Sequence, residues 1–275
     1  MFFMKRVVFS VLALILVLLP LKAQNIFNDG KVFIDKIEKG SYKISYNDGP
    51  NYSSVYVIEG SERALVVDAG DKADYDLLSL IGKCTDKPFV LALTHTHGDH
   101  LGAVAQFPEL YVNPKESMQA LSRYQGKILE MTDGYVFDLG GKFVQALEIT
   151  GHTTGGMVFC DYQTGNCYCG DCFGTGQVWL QMNRSETVIS DYLKEVEKML
   201  GYVKDRHITH FYTGHFGQED CVYDVNYIQD MALLARNMLK GDYTSVHHNR
   251  SAETANTQMT SLRRATIVFN PQRVK

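Results

Sequence analysis

The chain has 275 residues, 45% of them hydrophobic and 21% charged, and a formal net charge of −4. That length supports one large domain with a substantial core. A mildly acidic balance without a basic run argues against nucleic acid as a partner, because phosphate binding draws on clustered Lys and Arg.

In chain order, Met1 to Gln24 reads as a secretory signal. Lys5-Arg6 precedes an almost wholly apolar run from Val7 to Leu19, then Pro20, with a cut expected after Ala23. The apolar run, about 13 residues, is short for a membrane span. Residues 1–23 are therefore expected to be removed, leaving 24–275 as a single exported domain, periplasmic or extracellular, with no stable membrane anchor. Loss of Lys5, Arg6 and Lys22 would take the charge from −4 to −7.

Apolar and β-branched runs predict strands near 41–47, 53–59, 63–68, 89–94, 110–113, 143–149, 157–162, 167–171, 208–213 and 264–269. Helical spacing predicts helices near 72–82, 114–125, 186–201 and 219–240, with Tyr192, Val196 and Leu200 facing the core. Residues 241–262 are polar and read as a loop or lid before the last strand. In the hairpin expected over 157–170, with Gln163–Asn166 as its turn, Cys160 would lie opposite Cys169.

Residues 94–100 read Thr-His-Thr-His-Gly-Asp-His, directly after the apolar run Phe89–Leu93. Three imidazoles and a carboxylate within six positions suit a divalent cation, since neutral imidazole binds Zn²⁺ and a carboxylate adds an anionic ligand. His152 in Thr-Gly-His-Thr-Thr-Gly-Gly, Asp171 in Cys-Gly-Asp-Cys and His215 in Tyr-Thr-Gly-His each follow a short apolar or β-branched run and a Gly. Each is placed on a turn at a strand end.

With these motifs in this order, and with Leu65-Val66-Val67-Asp68-Ala69-Gly70 before them, the chain resembles the metallo-β-lactamase fold superfamily from about residue 30 to 215. The resemblance implies an α/β fold of four layers, an αββα sandwich. It implies that His95, His97 and His152 hold a first metal, that Asp99, His100 and His215 hold a second, and that Asp171 bridges them. The implied cofactor is two Zn²⁺, with iron or manganese as alternatives. Two such ions about 3.5–4 Å apart lower the pKa of a shared water and polarise a carbonyl. The resemblance also implies a catalytic role for Asp99 and Asp68, Asp68 as an acid that would fix a ligand histidine. No organic cofactor is expected. His207 and His210 compete with His215 on proximity alone, but only His215 follows Thr-Gly as the pattern requires. His247 and His248 fall in the polar loop, and Trp179 is the only tryptophan.

An Asp at 171, where lactamases of this fold usually carry Cys or Ser, points to the broader hydrolases, which include glyoxalase II-like thioesterases and lactonases. The lactonase tyrosine three positions later is absent, since Gly174 stands there, and Arg263-Arg264 are loose matches to the glutathione-holding basic residues. The expected activity is hydrolysis of a small-molecule carbonyl ester, thioester or lactone by a metal-bridging hydroxide. The alternatives are a β-lactamase-type amide hydrolase and a mononuclear iron enzyme similar to persulfide dioxygenases. The six cysteines, at 84, 160, 167, 169, 172 and 221, allow disulfides in an exported chain.

Overall fold

The computed structural model describes residues 23–46, 53–180, 187–215, 222–248 and 256–275. The expected signal segment, except Ala23, lies outside the described residues, as does Cys221.

The first sheet runs in simple chain order, β1 (Gln24–Asn28), β2 (Val32–Glu38), β3 (Ser41–Tyr46), β4 (Ser54–Glu59), β5 (Ala64–Val67), β6 (Phe89–Ala92), β7 (Glu109–Val112) and β8 (Lys127–Glu130). It is antiparallel up to β5 and parallel from β5 to β8. Helix α1 (Leu77–Ile81) lies between β5 and β6. The chain continues with β9 (Val136–Asp138), β10 (Phe143–Glu148), β11 (Met157–Asp161), β12 (Asn166–Gly170), β13 (Gln177–Trp179), α2 (Ile189–Arg206), β14 (His210–Thr213), β15 (Val222–Tyr223), α3 (Val225–Lys240), β16 (Val246–His247), β17 (Gln258–Leu262) and β18 (Ala265–Phe269). The second sheet has the order β15-β14-β12-β11-β10-β9, and a small third sheet the order β13-β18-β17-β16.

Strands buried on both faces read as continuous apolar runs, each face feeding a different core. Val55 and Val57 of β4 join the cluster under α1, whereas Tyr56 and Ile58 enter the core between the two large sheets. In β11, Met157 and Phe159 face that middle core, while Val158 and Cys160 face a third cluster under α2 and α3. The stack is thus an αββα sandwich, with the small sheet added where α3 packs on β17 and β18.

Several elements differ from the sequence expectation. The helix expected near 72–82 shrinks to five residues, started by Asp76, whose carboxylate accepts from the Ser79 amide. The helix expected over 114–125 is only a short 3₁₀ turn at Met118–Leu121, because the Asn113 side chain accepts from the Lys115 amide in a turn and Glu116 reaches to the Thr96 and Gly155 loops. The helix expected at 186–201 runs on to Arg206, and the one expected from 219 begins at Val225 after the Asp224 cap; residues 219–221 lie outside the described residues. The expected loop at 241–262 contains β16 and β17, paired to each other and to β18. Cys160 pairs with Cys167, not Cys169, since Asp161 accepts from the Gln163 amide and starts the turn one residue early. Gly165 closes that turn in the left-handed region, at φ 77°. Among the described residues no helix is long and apolar enough to cross a membrane.

Candidate metal centre

Each candidate residue follows the C-terminal end of a strand. Asp68 follows β5, the histidine-rich loop follows β6, His152 follows β10, Asp171 follows β12 and His215 follows β14. Backbone bonds lock the two sheets together at this edge, from the Met157 amide to the Thr94 carbonyl and from the Ser54 amide to the Gly214 carbonyl, both 2.8 Å. Small residues permit the approach. A Cβ on Gly170 would lie 2.3 Å from Thr94 Oγ1, and one on Gly214 would lie 2.4 Å from Asp171 Oδ1.

The hydrogen bonds fix where each imidazole carries its proton. Asp68, buried and held at φ 64°, accepts from the Thr94 amide (2.7 Å), from Thr94 Oγ1 (2.8 Å) and from His100 Nδ1 (2.8 Å). A non-glycine residue in that backbone region is retained only where its surroundings over-determine it, as three such bonds do. Because Thr94 gives its hydroxyl proton to Asp68, its oxygen accepts from His95 Nδ1, 3.0 Å away. The Trp179 carbonyl likewise accepts from His152 Nδ1 at 2.8 Å. His95 and His152 therefore present a bare Nε2 lone pair inward, and His100, whose Nδ1 proton is held by Asp68, offers its Nε2 to a cation that displaces the second ring proton.

Those lone pairs converge. His97 Nδ1 lies 3.0 Å from His95 Nε2 and 2.9 Å from His152 Nε2, so one ring proton at most could serve three nitrogens. His100 Nε2 and Asp171 Oδ1 face each other at 3.6 Å, both buried and without a hydrogen-bond partner. Asp171 Oδ2 lies 3.0 Å from His215 Nε2 and 3.5 Å from His152 Nε2, and Asp99 Oδ2 lies 3.5 Å from His215 Nε2. The His95, His97 and His152 nitrogens repel unless a cation lies among them, and the Asp171 and Asp99 carboxylates set anionic oxygens beside His100 and His215, so this donor set fits metal ions. Three overlapping groups could hold them: His95, His97 and His152; His95, His100 and Asp171; Asp99, His100 and His215. Asp171 faces residues of both outer groups.

Electrostatics divide the set. Burial pushes the His95 imidazole well below its usual pKa, takes His97 down to about 4 and lowers His152, which keeps all three neutral and ready to ligate. Burial opposes the charged forms of His100 and His215 too, but Asp68 and Asp171 carry the first well above the ordinary value, and Asp171 raises the second. Burial would raise Asp171, yet the neighbouring His215 and His100 hold it well below the usual carboxylate range.

The other sequence candidates lie elsewhere. His207 is an exposed left-handed cap at the end of α2, and His210 is exposed on β14. His247 is exposed, whereas the His248 ring meets the Trp179 ring edge-on, with centroids 4.8 Å apart. Arg263 reaches Asp230 on α3, and Arg264 lies over the Tyr223 ring.

Sequence reasoning missed Glu116. This buried carboxylate accepts from the Thr96 amide and hydroxyl (both 2.9 Å) and from the Gly155 amide (3.0 Å), tying the His95–His97 loop to the loop of His152. Its one sequence signal is an acid just beyond a strand end at the edge that carries the other site residues. In Glu116→Gln one oxygen becomes an NH₂ group facing an N–H donor. At about 1–3 kcal/mol for an unsatisfied buried group, the variant should melt several degrees lower in calorimetry. It should also bind metal about tenfold more weakly in a chelator competition; unchanged affinity would remove Glu116 from the site's support.

The metallo-beta-lactamase superfamily profile matches residues 48–206. The chain is 30% identical over 115 residues to a hydroxyacylglutathione hydrolase of Yersinia enterocolitica, covering 40% of this chain and 42% of that one. It is 23% identical over 213 residues to the acyl-coenzyme A thioesterase MBLAC2 of Gallus gallus, covering 62% and 74%. A lactamase-like protein, ptaB of Pestalotiopsis fici, is 29% identical over 122 residues, covering 43% of this chain. The chain spans about two fifths of the length of ptaB (39%) and of the Yersinia protein (42%). Among solved structures, a metallo-beta-lactamase from Pontibacter korlensis superposes with a TM-score of 0.61 at 17% identity, over 75% of this chain and 100% of that one. Its likeness is one of fold, and it agrees with the sandwich. Since the profile spans more than half of the sequence, including the histidine-rich loop, His152 and Asp171, the chain belongs to the metallo-beta-lactamase superfamily.

Proposed function

We propose that this protein is an exported, two-metal hydrolase that cleaves a small acyl thioester or a related carbonyl ester. One observation carries this reading: seven inward-facing donors converge, with the buried Asp171 carboxylate facing both outer groups. His95, His97 and His152 would hold one ion, Asp99, His100 and His215 the other, and Asp171 would contact both. Bound there, a pair of divalent cations such as Zn²⁺ would lower the pKa of water toward neutrality and polarise a carbonyl.

The remaining work belongs to the chain's own side chains. Asp68 and the Trp179 carbonyl hold two rings in the tautomer that ligates, and Glu116 holds the loops that carry three of the histidines. Asp99, with about a third of its side chain exposed (34%), is the most open carboxylate of the set and is placed to carry a proton. In thioester hydrolysis the water oxygen bonds to the acyl carbon and the carbon–sulfur bond breaks. The proton that water loses then passes through Asp99 to the departing thiolate. The thioester class is favoured because two of the similar proteins are named as an acyl-coenzyme A thioesterase and a hydroxyacylglutathione hydrolase.

A panel of acyl-glutathione and acyl-coenzyme A thioesters, a lactone, a β-lactam and a phosphodiester tests this. A thioester should be turned over at least about tenfold faster than the phosphodiester, with activity lost on chelation and restored by Zn²⁺. β-Lactam cleavage alone, or oxygen uptake with a persulfide, would replace the proposal with one of those reactions.

A further inference from the structure

Outside the metal centre, the hairpin of β11 and β12 buries three cysteines in the core under α2 and α3, with Cys172 just beyond it. Three of the five described thiols are turned to a backbone carbonyl: Cys84 to Leu80 at 3.6 Å, Cys169 to Cys167 at 3.5 Å and Cys172 to Met157 at 3.6 Å. Cys160 and Cys167 are different. They are directly paired across the two strands, both fully buried, and their sulfurs face each other at 2.6 Å. Directly paired antiparallel residues have Cα atoms about 4.5–5.5 Å apart, inside the window of about 4.4–6.8 Å that a disulfide requires.

We propose that Cys160 and Cys167 are a site of disulfide formation that staples this hairpin below Asp171, which follows the last residue of β12. Both sulfurs are closed off in the folded chain, so the bond forms while the hairpin is still uncovered, before α2 and α3 close over it. The oxidant is a small-molecule disulfide. The two protein thiols give up two electrons and two protons as their sulfurs join, while the oxidant's sulfur–sulfur bond breaks and takes them up as two thiols.

Refolding the reduced full chain with a mixture of reduced and oxidised glutathione tests this. The refolded protein is capped with a maleimide in denaturant and digested with chymotrypsin, which cuts after Phe159, Tyr162 and Tyr168 and so separates Cys160, Cys167 and Cys169. Peptide 160–162 should remain joined to peptide 163–168 until reductant is added. The unreduced protein should also melt about 5 °C above the reduced one, a difference that Cys160→Ser should erase. Maleimide on both Cys160 and Cys167, or a link from either to a different cysteine, would overturn the assignment. A link that leaves the melting temperature unchanged would overturn the stapling role.

Discussion

Asp171→Ala is expected to lose both metal ions and, with them, at least about 1,000-fold in turnover. One carboxylate faces both outer donor groups, and two unit charges about 4 Å apart interact by roughly 4 kcal/mol at an effective dielectric of 20. With each 1.4 kcal/mol worth tenfold, a thousandfold loss of affinity is the smaller estimate, since each ion carries two charges. Metal analysis and thioester assay of the purified variant check this. His210→Ala, exposed on β14, is the comparison and should retain both ions. A variant of Asp171 that kept two ions would break the assignment of this residue.

The second large effect is expected at Asp68. Asparagine tolerates the left-handed backbone that Asp68 adopts, and its carbonyl oxygen can still accept from the Thr94 amide. Its NH₂ group, however, would stand where Oδ2 accepts from both Thr94 Oγ1 and His100 Nδ1; the Thr94 hydroxyl can turn to accept from it, but the His100 ring N–H cannot. His100 would then protonate on Nε2 instead, and the lone pair it offers a cation beside Asp171 would be lost. Asp68→Asn should therefore fold with a melting temperature close to the parent's while its metal affinity falls about 10- to 100-fold, the range seen when a ligand histidine loses its supporting carboxylate. Asp68→Ala leaves the Thr94 amide, the Thr94 hydroxyl and the His100 ring N–H without their acceptor in a buried site. At about 1–3 kcal/mol for each, that variant should melt far lower. Calorimetry and chelator competition on both variants separate the orienting role from the folding role; equal metal affinity in parent and Asn variant would rule the orienting role out.

The site was far more legible than its supports. The Thr94–His100 run, Gly151-His152, Gly170-Asp171 and Gly214-His215 each place a distinctive residue at the end of an apolar strand, and both signals are local in sequence. Glu116 acts through contacts 20 and 39 residues away, so nothing near it in sequence announces the role. The same holds for the Trp179 carbonyl, a backbone group brought to His152 by the pairing of β13 with β18. The central strands β4, β5 and β11 were visible because both their faces are buried. Strand β8, Lys-Ile-Leu-Glu, is a short, mostly exposed sheet edge, and β17, Gln-Met-Thr-Ser-Leu, is half polar, so both depend on tertiary pairing that the residue pattern does not encode. The hairpin register differs from the one expected from sequence because an Asx turn at Asp161 starts the loop one residue early, and the cysteine pairing moves with it.

The most direct test is the metal content of the intact purified protein, measured by plasma mass spectrometry before and after dialysis against a chelator. About two divalent ions per chain are expected, both removed by chelation and both restored on adding Zn²⁺. One tightly held iron that chelation leaves in place, with no second ion taken up, would contradict the two-metal hydrolase.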